Sequence, residues 1–170
     1  NNRLVILTST QVPFHVRRIV AERLQIPIGR VRVIKPRIGG GFGTKQEVLL
    51  EDICSALTLK TGKPVKYEFT RKEEFMSGRV RHPQIIKIKL GAKKSGLLTA
   101  IEMRIIMNTG AYGSHALTVV CNSGSKVLPL YNKAPNILFY ADTVYTNLPV
   151  GGAYRGYGVT QGAFAMECIM

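Results

Sequence analysis

The sequence predicts an α+β fold in which helices pack against a mixed β-sheet. Strand-like and helical patterns follow one another without a strict β-α-β rhythm. Two long strand-like runs, residues 85–90 and 97–107, are joined by a turn-rich segment, which is typical of an antiparallel hairpin. The chain has 170 residues, 45% of them hydrophobic, which is enough to bury a core. We therefore expect residues 1–170 to form a single domain or subdomain.

In the first third of the chain, the residue patterns predict a strand, a helix, a second strand and a second helix, in that order. The β-branched run from Leu4 to Thr10 predicts a buried strand that ends at Gln11. Apolar residues recur at helical spacing over residues 13–24, and residues 31–35 predict a second strand. A helical pattern starts at about Glu47, directly after a glycine-rich loop. We expect the positive end of that helix to face a ligand at the loop.

The remaining two thirds predict the hairpin and its flanking elements. Residues 65–69 predict a strand, and residues 70–74 fit a capping box that opens a short helix. Residues 108–125 are rich in glycine and serine and predict loops with at most a short helix. Residues 136–145 predict a strand, and residues 160–167 predict a helix after a second glycine-rich loop.

Composition narrows the classes of function. The balance of 24 Lys and Arg against 10 Asp and Glu gives a net charge of +14, which favours phosphates, nucleic acid or an acidic partner. The basic residues are scattered, so charge alone names no partner. The three cysteines are too far apart to indicate a disulfide framework or a local metal site, and we expect reduced thiols in a cytoplasmic protein. No apolar run approaches the ~20 residues of a membrane span.

The glycine loop, residues 37–47, is the strongest single signal of a binding site. It contains Gly39, Gly40 and Gly41 in succession, followed by Phe42 and Gly43. Ordering so many glycines is entropically unfavourable, so such a loop needs close approach of main-chain amides to a ligand, or serves as a hinge. The spacing matches neither the phosphate loop of nucleotide-binding enzymes nor the dinucleotide fingerprint.

The second glycine-rich loop, residues 147–158 and called here the arginine loop, repeats this design. A strand leads in, an aromatic residue lies among glycines, and a helix follows. From the residues alone, Arg155 is either a ligand-binding cation or a brace for its loop, and Tyr157 is either a site residue or a core aromatic. Gln11, at a strand end, is similarly either a site residue or a polar group satisfied by the backbone.

Five segments support a more specific hypothesis. They are Ser9-Thr10-Gln11, Gly39-Gly40-Gly41-Phe42-Gly43 with Lys45, Arg81-His82-Pro83, Thr146-Asn147-Leu148-Pro149, and Ala153-Tyr154-Arg155-Gly156-Tyr157-Gly158 with Gln161-Gly162. In this order, they make the chain similar to the molybdopterin-binding part of the xanthine dehydrogenase and aldehyde oxidase family. One segment alone is a weak signal, whereas five over nearly the whole chain are specific. The resemblance implies a molybdopterin-cofactor-binding fold.

The resemblance implies roles for residues near the glycine loop. The Gln11 amide would donate a hydrogen bond to the apical oxo ligand of a molybdenum centre. Phe42 and Gly43 would lie beside the metal through main-chain groups, and Gly40 and Gly41 would let the backbone approach the cofactor. The metal would be held by the pterin dithiolene, so the resemblance implies no metal-ligating residue in this chain.

The resemblance also implies substrate contacts and partners. Arg155 would help to hold the cofactor, while Gln46 and Tyr157 take positions that contact the substrate. The implied reaction is hydroxylation of an aldehyde or N-heterocycle with oxygen derived from water, at a molybdopterin with or without a cytosine nucleotide. Electrons would leave through 2Fe-2S clusters and FAD on other domains or subunits.

Three departures from the family pattern qualify these expectations. Gln46 stands where purine-oxidising members have a glutamate, and their substrate-binding arginine would fall near Ser123, so we expect a substrate other than xanthine. The family's catalytic glutamate has no counterpart here, so no catalytic residue is expected within this chain. We therefore expect a catalytically inactive fragment of a larger subunit.

A different class of function is open from composition alone. A basic chain with two glycine-rich loops could bind phosphate or nucleic acid, or could dock partner subunits without catalysis. Against nucleic acid, the aromatic residues are not interleaved with a concentrated basic stripe, as they are in proteins that bind single strands.

Overall fold

The computed structural model describes residues 2–170 and divides them into two units. The first unit ends at Gly78, and the second runs from Arg79 to Met170. Each unit has its own buried apolar cluster. Helices are combined with parallel and antiparallel strand pairs, which confirms the predicted α+β class with a mixed sheet.

Two short parallel strands joined by a helix form the base of the first unit. Strand β1 (Leu4–Leu7) pairs with β2 (Val31–Ile34), and Leu4 lies opposite Val31. Helix α1 (Pro13–Arg23) connects them and buries Val16 and Val20 completely against the strands. The predicted strand–helix–strand order is confirmed, and both strands end earlier than predicted, at Leu7 and Ile34.

The glycine loop does not lead directly into a helix. Residues Thr44–Gln46 form a 3₁₀ turn, and helix α2 spans Glu51–Thr61. The Glu51 carboxylate accepts hydrogen bonds from the N–H groups of residues 49 and 50, at 3.0 and 3.2 Å, and this holds the preceding chain outside the helix. The predicted helix forms, but the prediction that it starts at about Glu47 is wrong. That its positive end faces a ligand stays a prediction.

The end of the first unit contains one wrong and one confirmed prediction. Residues 65–69 form no strand within the described part of the chain. The Tyr67 ring instead makes an edge-on contact with the Phe69 ring, at 5.7 Å between centroids. Helix α3 (Arg71–Ser77) begins at the predicted capping box, in which the side chains of Thr70 and Glu73 each accept the other's backbone N–H.

A three-stranded mixed sheet organises the second unit. Strand β3 (Gln84–Ala92) pairs antiparallel with β4 (Leu98–Gly110), and β4 pairs parallel with β5 (Asn136–Tyr145). The predicted hairpin and the strand at residues 136–145 are confirmed. Alternate residues of β4 are buried, as expected for a strand with one face toward a core.

Two helices cover the buried face of this sheet. Helix α4 (Ala116–Ser125) contributes Val119 and Val120 to the core, and helix α5 (Val159–Ile169) contributes Met166. A ten-residue helix thus replaces most of the loop predicted for residues 108–125. Its glycine and serines have low helix propensity, and burial against the sheet outweighs that preference.

Among residues 2–170, every helix is too short or too polar to cross a lipid bilayer. The three cysteines are free, and Cys121 and Cys168 are exposed.

Candidate functional site

Gln11 connects the end of β1 to the glycine loop in two ways. Its backbone N–H donates to the Lys45 carbonyl at 2.8 Å, and its side-chain Oε1 accepts the Gly43 N–H at 2.9 Å. The buried Thr10 hydroxyl also donates to the Lys45 carbonyl, at 3.3 Å. The far end of the glycine loop is therefore held against the strand end by the residue that the sequence singles out.

The backbone of the glycine loop adopts a conformation that L-residues rarely take. Gly40, Phe42 and Gly43 have φ angles of 134°, 50° and 93°. Phe42 is not a glycine, and the residue is 62% exposed. A bulky residue held in the left-handed region without a core contact is typical of a site where the backbone serves a ligand.

Gly41 must lack a side chain for this arrangement to form. A Cβ atom on Gly41 would lie 2.4 Å from the side chain of Gln11, whereas a Cβ on Gly39 would meet nothing within 4 Å. The Thr44 hydroxyl donates to the Gly41 carbonyl at 3.0 Å and fixes its orientation. Within residues 2–170, the N–H groups of residues 39–42 have no hydrogen-bond partner, so they remain available as donors.

Gln46 lies near the end of this loop and is half-buried. Its N–H donates to the Gly43 carbonyl at 3.1 Å, which closes the 3₁₀ turn. Glu47 follows in an extended conformation, with φ of −108° and ψ of 163°. The first unit therefore brings together six of the predicted site residues: Gln11, Gly40, Gly41, Phe42, Gly43 and Gln46.

The other two predicted site residues, Arg155 and Tyr157, belong to the second unit. The arginine loop also uses the left-handed region, with φ of 89° at Gly156, 43° at Tyr157 and 96° at Gly158. The Tyr157 N–H donates to the Tyr154 carbonyl at 2.7 Å. Arg155 is exposed, and across the described chain its guanidinium makes no ion pair or hydrogen bond.

Helix α4 holds the arginine loop by direct contact with its backbone. A Cβ on Gly158 would lie 2.0 Å from the Val119 carbonyl oxygen, and one on Gly162 would lie 1.9 Å from that of Ser123. The fully buried Ser123 hydroxyl lies 3.0 Å from the Gly158 carbonyl and 2.9 Å from Gln84 Nε2. Ser123 is thus a packing residue, and an arginine would not fit in its place.

His115 is a residue that sequence reasoning missed. It has no histidine or cysteine neighbour at metal-ligand spacing, so the sequence assigns it nothing. In the structure, its Nδ1 lies 2.5 Å from the Tyr157 hydroxyl, and the two rings meet edge-on at 5.5 Å. The contact spans 42 positions in sequence, and no local pattern could have revealed it.

The Arg81-His82-Pro83 segment supports the arginine loop from another side. The Arg81 guanidinium lies 4.6 Å from the centre of the Tyr154 ring, at a distance suited to a cation–π contact. The His82 ring is buried where a Cβ on Gly151 would lie 2.4 Å from it. His82 therefore acts as a structural residue, packed against the backbone of Gly151.

In the part of the chain that the structure describes, no three His, Cys, Asp or Glu side chains form a group that could hold a metal ion.

Comparison with known families decides what this arrangement is. The family model described as "Molybdopterin cofactor-binding domain" matches residues 1–170. The chain belongs to the molybdopterin cofactor-binding domain family. This confirms the family resemblance found in the sequence. The comparisons give no support to the alternative of a basic nucleic-acid-binding or docking module.

Relatives and solved structures agree with this family. The chain is 50% identical over 165 residues to the "Probable hypoxanthine oxidase XdhD" of Escherichia coli strain K12, covering 97% of this chain and 17% of that protein. It is 43% identical over 171 residues to the xanthine dehydrogenase molybdenum-binding subunit of Escherichia coli O157:H7, covering 100% of this chain and 23% of that one. Quinoline 2-oxidoreductase from Pseudomonas putida 86 superimposes with a TM-score of 0.84 at 32% identity, covering 97% of this chain and 21% of that structure. The chain therefore spans about a fifth of the length of each of these three proteins.

The first unit offers a donor set that fits a molybdopterin cofactor. Gln11 Oε1 is occupied by Gly43, while Gln11 Nε2 has no hydrogen-bond partner within residues 2–170. Together with the free N–H groups of residues 39–42, this gives neutral donors beside a surface that a Gly41 side chain would fill. Neutral donors suit oxo and phosphate oxygens because they bind anions without adding a protonable group.

Proposed function

We propose that this chain is the cofactor-binding part of a molybdenum hydroxylase that oxidises an N-heteroaromatic or aldehyde substrate with oxygen derived from water. The observation that supports the proposal is the hydrogen bonding of the Gln11 side chain. One end of its amide accepts the Gly43 N–H at 2.9 Å, and the other end remains a free donor at the glycine loop. An amide fixed at its acceptor end presents its NH₂ group in a defined direction.

In this proposal the glycine loop binds the cofactor through groups that carry no charge. Gln11 Nε2 donates a hydrogen bond to the bound cofactor, and Gly40 and Gly41 leave room for it at the backbone. The N–H groups of Phe42 and its neighbours supply further donors. Oxygen insertion and two-electron acceptance are the chemistry that the molybdenum cofactor supplies when bound.

From the second unit we propose Arg155 as a cofactor-binding residue and Tyr157 as a substrate-binding residue. The guanidinium of Arg155 suits a phosphate or another anionic group of the cofactor, because it offers several N–H donors in a fixed plane. The Tyr157 ring offers a flat apolar face for an aromatic substrate.

The substrate class we favour is an N-heteroaromatic ring. Three similar proteins are named for hypoxanthine, xanthine and quinoline, all of which contain ring nitrogens. By the family resemblance, Gln46 stands where purine-oxidising members have a glutamate, and its neutral amide can pair with either a donor or an acceptor on a ring. On this basis hypoxanthine and quinoline are better candidates than xanthine, and an aldehyde is the second choice.

The chain is proposed to act within a larger protein. Because it spans 17% and 23% of two relatives, the remaining polypeptide would supply the catalytic base, and iron–sulfur and flavin domains or subunits would accept the electrons. A cytoplasmic location and the assignment of the whole chain to a single subdomain of that subunit stay predictions.

The experiment is a turnover assay of the complete parent protein in water enriched in ¹⁸O. Hypoxanthine, quinoline and benzaldehyde are supplied as substrates, and molybdenum and pterin are quantified in the same preparation. We expect both components to be present and a hydroxylated product to carry ¹⁸O from water. Absence of molybdenum from protein made in cells that synthesise the cofactor would contradict the proposal.

A further inference from the structure

Tyr157 is held in an unusual backbone conformation with one strong side-chain contact. Its φ of 43° lies in the left-handed region, between two glycines that also have positive φ. Its ring packs partly against the core of the second unit and meets the His115 ring edge-on, and His115 Nδ1 lies 2.5 Å from its hydroxyl. A phenol hydrogen-bonded at its tip and packed at its edge has little freedom to rotate.

His115 is itself fixed in place by helix α4. It is the residue that precedes the first turn, and its carbonyl accepts the Val119 N–H at 3.0 Å. The same helix contacts the arginine loop at Gly158 through Val119 and Ser123. Helix α4 therefore sets both the position of the Tyr157 backbone and, through His115, the position of its hydroxyl.

We propose that His115 is a positioning residue that fixes the Tyr157 ring for binding of a heteroaromatic substrate. This inference rests on the proposed function, in which Tyr157 contacts the substrate ring. A stacking contact depends on the tilt of the ring, because offset and edge-on arrangements are favoured within narrow limits. His115 fixes the tilt of the Tyr157 ring through its hydroxyl, without itself contacting the substrate.

The test compares His115→Leu, His115→Asn, Tyr157→Phe and the His115→Leu/Tyr157→Phe double variant in the complete parent protein. The readout is kcat/KM for whichever of hypoxanthine and quinoline the wild type oxidises faster, with kcat and KM determined separately. For His115→Leu we expect a loss of about tenfold, mainly in KM, since one hydrogen bond to the ring is lost. Asparagine can place a side-chain polar atom near the position of Nδ1, so His115→Asn should recover most of the loss.

The double variant shows whether His115 affects substrate binding through the Tyr157 hydroxyl. If His115 acts through the Tyr157 hydroxyl, adding His115→Leu to Tyr157→Phe should change kcat/KM by less than about twofold, because coupled residues are not additive. Equilibrium binding of the same ring to parent protein from tungstate-grown cells, measured by calorimetry, should show the same pattern without turnover. Tyr131→Phe is the matched control, since the Tyr131 hydroxyl pairs with Glu167 instead.

The outcomes separate this inference from the proposed function. If His115→Leu has a normal molybdenum content and an unchanged kcat/KM, the role of His115 is overturned and the proposed function is not. Additive losses in the double variant, or no recovery in His115→Asn, would also overturn it. A wild-type parent protein that lacks molybdenum would overturn both proposals.

Discussion

The glycine loop and the arginine loop share a design and differ in what holds them. Each places an aromatic residue with positive φ, Phe42 or Tyr157, beside glycines with positive φ. The glycine loop is held at Lys45 by the Gln11 backbone N–H, but its glycine segment is held at Gly43 by the flexible side chain of Gln11. The arginine loop is held by the backbone of helix α4, through Gly158. The first arrangement tolerates adjustment, whereas the second does not.

Because of this difference, we expect substitutions in the glycine loop to affect cofactor binding and substitutions in the arginine loop to affect folding. Added bulk at Gly41 would displace the Gln11 side chain and change the donors offered to a ligand. Added bulk at Gly158 would press on the carbonyl of Val119 and push helix α4 from the sheet. Variants of the two loops should therefore fail in different measurements.

The largest expected effect is loss of structure in Gly158→Ala. The new Cβ would lie 2.0 Å from a backbone oxygen, at a φ of 96° that alanine rarely adopts. We expect destabilisation of the second unit by about 3–5 kcal/mol, at the upper end for single substitutions. Hydrogen exchange of α4 and α5 peptides in the parent protein measures it.

Gly96→Ala is the matched control for that substitution. Its φ of 85° is similar, but a Cβ there would meet nothing within 4 Å. We expect Gly96→Ala to lower the free energy of unfolding by only about 1 kcal/mol, because of backbone strain alone. Equal losses in the two variants would show that backbone conformation, and not contact with α4, limits the arginine loop.

A smaller effect is expected from Gln11→Glu, which separates the two ends of the amide. The carboxylate can still accept the Gly43 N–H, but it loses the donor at Nε2. We expect molybdenum content to be retained and kcat to fall by about 10²–10³-fold, as for loss of one fixed donor at a reacting centre. Gln11→Ala should lower both molybdenum content and kcat. Full activity in Gln11→Glu would show that Nε2 is not the functional donor.

Gln46→Glu should change substrate choice more than cofactor content. Gln46 lies at the end of the 3₁₀ turn, one residue beyond Lys45, the residue that contacts Gln11. We expect the ratio of kcat/KM between heteroaromatic and aldehyde substrates to shift by about tenfold, the value of one or two hydrogen bonds. Metal analysis and parallel assays give both quantities. Unchanged ratios across the substrates would contradict a substrate contact.

The smallest effect concerns the capping box of α3, a polar contact outside the residues of both loops. The Thr70 backbone N–H, and then the Thr70 hydroxyl, lower the pKa of the Glu73 carboxyl below its ordinary value. Its stabilisation of α3 is therefore complete above the ordinary carboxyl pKa of about 4.3 and is lost as pH falls through the lowered value. Hydrogen exchange of α3, corrected for the intrinsic pH dependence, should show this loss in the wild type and not in Glu73→Gln.

The sequence predicted those parts of the fold that depend on local pattern. The hairpin of β3 and β4, the strand at residues 136–145 and the capping box at Thr70 are signalled by alternation, turn residues and cap chemistry within a few positions. Within the candidate site, the sequence predicted the two loops and Gln11, because glycine runs and strand ends are local features. The roles proposed for these residues come from the family resemblance.

The missed features depend on contacts between distant parts of the chain. Helix α4 forms from residues of low propensity because Val119 and Ser123 are buried against the sheet and the arginine loop. The delayed start of α2 depends on the Glu51 carboxylate, which also accepts the Thr8 hydroxyl at 2.7 Å. His115 acquires its partner only when the fold brings Tyr157 to it.

The most direct test of the central claim, that the glycine loop is a cofactor cradle, is the molybdenum and pterin content of the parent protein in Gly41→Val and Gly39→Val. The two substitutions are identical and lie two residues apart, but only the Cβ at Gly41 would meet the Gln11 side chain, at 2.4 Å. We predict that Gly41→Val loses at least about 90% of both components, as expected if its Kd rises to roughly tenfold above the free cofactor concentration, and that Gly39→Val keeps most of them. Equal content in both variants and the wild type would contradict the claim.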